Sequence, residues 1–231
     1  NIDIYERYVQ IQTKSSIDTK TIKVLNPKEV VFEGGRELEL DAVSEVPRYY
    51  VYNAYGVCGI YSAPGTAVKE AYDTSGIVTN DRGVTVWLKG NRVSRNQIMA
   101  IKEESVTEQK NSLAVCLDNI LRHAGITRNT EYDLAQGKTA TTILSENMTG
   151  VQVLDLSGCT LDAVLYYVNQ DIPVLAILDD GEAVLVTGFN EFNVVIMEPA
   201  TGKLYKKGMN DATAWFAENG NHFITYMRTE N

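Results

Sequence analysis

Three short apolar runs, IPVLAILD, AVLVTGFN and NVVIMEPA, follow one another between residues 172 and 200. Runs of this length and composition read as consecutive β-strands, with the turn-rich GFNEFN between the last two. HFITYMR near the end of the chain reads as a further strand. Helical periodicity precedes them. In SLAVCLDNILRHAG, Leu113, Cys116, Leu117, Ile120, Leu121 and Ala124 recur at helical spacing and form one apolar stripe. Ser112 suits the N-cap and Gly125 the left-handed position after the last turn. TLDAVLYYVNQ repeats the device, with Thr160 as cap and Leu161, Val164, Leu165 and Val168 on the stripe. One or two short helices are expected over 130–148, and VQVLDL as a strand. Helices followed by an antiparallel sheet make the expected class α+β.

The first hundred residues read differently. Residues 5–13 and 20–33 look like strands, the second broken at Asn26–Pro27. RYYVYNAYG and VCGIYS are strand-like, and APGTAVKEAYDTSG is a short helix with Pro64 near its start and Gly76 at its end. IVTN and GVTVWLKG follow as strands around the turn signal Asn80-Asp81-Arg82-Gly83. The sum is a ββαββ module at about 45–92, whose tyrosines fall at alternating core and surface positions. Residues 93–108 are a polar connector, so the expected domains are an accessory module over 1–100 and a second domain over 105–231.

Bulk properties exclude some classes. A net charge of −9 with scattered acidic residues lacks the clustered Lys and Arg of a nucleic-acid surface. No apolar run approaches the roughly 18 to 20 residues of a membrane span. The chain opens on NIDIYERYVQIQ without Met or leader, and so reads as a piece of a longer protein, to which any membrane anchor would belong. Three widely spaced cysteines and two histidines give no metal-binding cluster and no disulfide framework. Three semi-buried thiols are expected, and no cofactor.

The order of motifs in the second domain resembles the papain-like-fold peptidases related to bacteriocin-processing (double-glycine-leader) peptidases. Four stretches carry the resemblance over about 105–228: Gln109 followed by SLAVCLDNILRHAG, then YYVNQDIPVLAIL, GEAVLVTGFN, and MEPATGK. The family places a catalytic Cys at the start of the helix, a His after the Gly of the third motif, an Asp before the Pro of the fourth, and an oxyanion-stabilising Gln just upstream of the Cys. A thiolate at a helix N-terminus is stabilised by the helix dipole and an adjacent imidazolium, and the His then protonates the leaving amine. Carried over position by position, the Cys falls on Ser112, the His on Glu182 and the orienting Asp on Glu198. Only Gln109 keeps the family's residue type.

Cys116 lies one turn inside the helix on the buried stripe, where a thiol is protonated and inaccessible. The resemblance therefore implies a papain-like fold without its catalytic pair: a non-catalytic, peptidase-like domain of a bacterial protein, outside the cytoplasm or at the cell surface, binding a peptide or protein partner. The alternative is an active hydrolase that uses Ser112 with Glu182, or Cys116 with His222. For Ser112 the competing role is an N-cap hydroxyl, and for Glu182 and Glu198 a pair of solvated carboxylates at strand ends.

Overall fold

A computed structural model describes residues 47–90 and 111–229, together with four strands nearer the N-terminus. Those four, β1 (Tyr8–Ile11), β2 (Lys20–Asn26), β3 (Glu29–Phe32) and β4 (Glu37–Leu38), form an antiparallel sheet in the order β1-β2-β3-β4. The connector expected over 93–108 and the oxyanion position Gln109 lie outside the described residues.

Contacts divide the chain into two compact units, 1–46 and 47–231. The expected boundary near residue 100 is not where this division falls. The ββαββ module is present, as β5 (Tyr49–Asn53), β6 (Gly56–Tyr61), α1 (Pro64–Thr74), β7 (Ile77–Asn80) and β8 (Thr85–Leu88), but it belongs to the same unit as 111–229. The physical reason is a set of buried and half-buried bonds between the two sequence segments. Trp87 Nε1 donates to the Ala163 carbonyl at 2.9 Å and the Tyr167 hydroxyl donates to the Val86 carbonyl at 3.0 Å. Asn80 Nδ2 donates to Gln152 Oε1, and Gln152 Nε2 donates to the Tyr49 hydroxyl. Each group would cost free energy if buried without its partner.

Module strands pair antiparallel in the order β6-β5-β7-β8. Pro64 stands at the start of α1, where its missing N–H costs nothing. The left-handed C-terminal residue is Ser75, at φ 55°, and not the expected Gly76. Gly76 is needed for a different reason: a Cβ there would lie 2.5 Å from the Tyr52 carbonyl oxygen. Gly76→Ala is therefore expected to cost roughly 1–3 kcal/mol of stability, read from the urea midpoint at unchanged m-value.

Residues 111–229 build the larger layer. Helices α2 (Ser112–His123), α3 (Glu131–Ala135), α4 (Ala140–Asn147), α5 (Leu161–Val168) and α6 (Met209–Glu218) accompany β9 (Val151–Asp155), β10 (Val174–Ile177), β11 (Ala183–Phe189), β12 (Asn193–Met197), β13 (Leu204–Gly208) and β14 (His222–Arg228). The strands form one antiparallel sheet in the order β13-β12-β11-β10-β14-β9. All seven residues of β11 are buried, which requires cover on both faces, and α2 and α5 both pack on it. The architecture is α+β, as expected. The Thr160 hydroxyl accepts from the Ala163 N–H, and Gly125 takes φ 83°, both as the sequence implies. The segment β13–α6 was not anticipated.

Asp133 is buried beside two cations. It accepts from Arg128 at 3.1 Å and pairs with Lys138 at 3.2 Å. Hydrogen bonds from Lys138, then Arg128, hold its carboxyl below the usual range. A depressed folded value means that this contribution is complete above about pH 4–5 and is lost as pH falls through the folded value. Asp133→Asn is expected to flatten the acid limb of a melting-temperature series between pH 2 and 6, and to lower stability above that range.

Candidate functional site

The first turn of α2 meets the first residue of β11. Asn111, one residue before the expected cap, takes the N-cap role: its Oδ1 accepts from the N–H groups of Leu113 and Ala114. Both residues are good caps by type, and the side chain outside the helix wins because it faces the second and third amides. Ser112 is thereby released from capping, which corrects the expectation. Its Oγ instead accepts the Ala183 N–H at 2.9 Å. Position 112 is thus beside position 182, seventy residues away in sequence.

The turn before β11 explains why Glu182 stands there. Leu178 N–H donates to the Glu182 carbonyl at 2.8 Å, and Gly181 N–H to the Leu178 carbonyl. Gly181 has φ 84°, a conformation that a side chain would strain. Asp180 Oδ1 accepts from the Glu182 N–H. The backbone of Glu182 is therefore fixed on both sides while its side chain is exposed.

Glu198 follows β12 at the same end of the antiparallel β11–β12 pair, since Leu185 opposes Met197. Its carboxylate is occupied locally: the Thr201 hydroxyl donates to Oε2 at 2.8 Å. Backbone bonds from Glu198 N–H to the Lys203 carbonyl and from Gly202 N–H to the Glu198 carbonyl close the same turn. Among the described residues, no hydrogen bond joins Glu198 to an imidazole. Sequence reasoning could have noticed Thr201, three residues on, as a partner for it.

Cys116 has no exposed surface. Burial, with a smaller contribution from the Glu182 carboxylate, pushes its thiol far above the ordinary range. His222 is exposed at the start of β14, two strands from Ala183, since Ile177 opposes both His222 and Ala183. No hydrogen bond joins Cys116 to His222 among the described residues. Neither Cys116 nor Cys159 is semi-buried: both are fully enclosed, Cys159 giving its thiol to the Gly65 carbonyl with a value pushed up to about 12 by burial. Cys58 is exposed.

Chemically, the arrangement offers a hydroxyl held as an acceptor by the Ala183 amide, and the residue before that amide, Glu182, carries an exposed carboxylate. An exposed carboxylate is a weak base toward an alcohol. Among the described residues, no group of three or more His, Cys, Asp or Glu side chains could hold a metal ion, and no helix is long and apolar enough to cross a membrane.

No family model matches the chain, and no curated protein matches it closely enough to count. Among solved structures, the chain is similar to one from Bacillus anthracis described as that of a C39-like peptidase. The two share 13% identity at a TM-score of 0.48, over 57% of this chain and 96% of the other.

Proposed function

We propose that residues 111–229 form a peptidase-like domain that holds an extended peptide or protein segment without cutting it. The observation that carries this reading is the bond from Ala183 N–H to Ser112 Oγ. It sets Ser112 beside the residue that follows Glu182, and the resemblance carries the peptidases' thiol and imidazole onto Ser112 and Glu182, a hydroxyl and a carboxylate. A thiolate–imidazolium pair supplies both the nucleophile and the acid for the leaving amine. Neither group is present in this pair. A cleft shaped for an extended ligand keeps its complementarity after the chemistry is lost, because strand edges and main-chain donors bind the ligand backbone. A setting outside the bacterial cytoplasm belongs to the same proposal.

Incubation with a diverse peptide library, read by mass spectrometry, tests the reading with the wild type and with Ser112→Ala. The expected result is an uncut library with both proteins and a subset of peptides retained by the wild type. Cleavage by the wild type that disappears in Ser112→Ala would make Ser112 a nucleophile and overturn the proposal.

A further inference from the structure

We draw no further inference here: the strongest candidate, the row of exposed apolar side chains Val57, Tyr52, Ile77 and Leu88 that the register aligns across the outer face of the sheet β6-β5-β7-β8, is an unpartnered face, and nothing among the described residues shows what covers it.

Discussion

Replacing Ser112 by Cys together with Glu182 by His is expected to give a thiol that alkylates about ten times faster at pH 6 than the thiol of Ser112→Cys alone. The expectation rests on position. Ser112 Oγ already accepts from the amide of residue 183, so residue 182 is the sequence neighbour from which an imidazole would reach the new sulfur. An imidazolium there, with the Ala183 N–H and the start of α2, favours the thiolate. A fall of about two pH units in the thiol pKa raises the thiolate fraction at pH 6 roughly a hundredfold. Intrinsic nucleophilicity falls with basicity and takes back about a factor of ten. The native Glu182 works the other way, because a carboxylate beside a thiol opposes its ionisation. Iodoacetamide labelling, followed at residue 112 by peptide mapping, gives the ratio. Equal rates in the two variants would mean that the side chain at 182 does not face residue 112, and the carry-over of the family positions would fail.

The native cysteines should separate by a still larger factor. Under folding conditions near pH 8, Cys58 is expected to label within the time set by an ordinary exposed thiol. Cys116 and Cys159 should lag by about a thousandfold or more. Two arguments agree on that size. For Cys159, a value of about 12 leaves on the order of one thiolate in ten thousand at pH 8. For a fully enclosed thiol such as Cys116, reagent enters only through opening, and an opening free energy of about 4 kcal/mol corresponds to roughly a thousandfold protection. Labelling of Cys116 as fast as Cys58 would reopen the hydrolase reading that pairs it with His222.

What the sequence made legible depended on how much of each segment is buried. α2 and α5 announce themselves because their apolar residues repeat at helical spacing, and the strands β10 to β12 because they are short unbroken apolar runs that meet the core. The segment β13–α6 was illegible for the opposite reason. LYKKG is an edge strand with two lysines, which keeps its free edge from pairing and hides its strand character. In α6 only Ala212 and Phe216 are buried, too few for a stripe, and Gly208 before it offers no side-chain cap. At the site, motif order placed residues 112 and 182 together, and one hydrogen bond joins Ser112 to Ala183, the residue after Glu182. Motif order could not assign the hydroxyl its partner. Asn111 and Ser112 are both good caps by type, and only the geometry of the first turn decides which one is left for Ala183. Glu198 was partly legible: Thr201 stands three residues on as a candidate partner, and the geometry of the turn decides that its hydroxyl folds back onto the carboxylate.

The bonds that tie Trp87, Asn80 and Tyr49 to the larger layer bear on how this chain could be rearranged. A module that packs through its own closed surface can be moved between proteins as a cassette, carrying its stability with it. Residues 47–90 are not of that kind. Partners for the Trp87 indole, the Val86 carbonyl, the Asn80 amide and the Tyr49 hydroxyl are supplied by side chains and backbone beyond residue 150. Conversely, the fully buried Tyr167 hydroxyl has its acceptor in β8, the Val86 carbonyl. The two segments are therefore one inheritance: a swap at residue 100 would separate donors from acceptors on both sides of the cut.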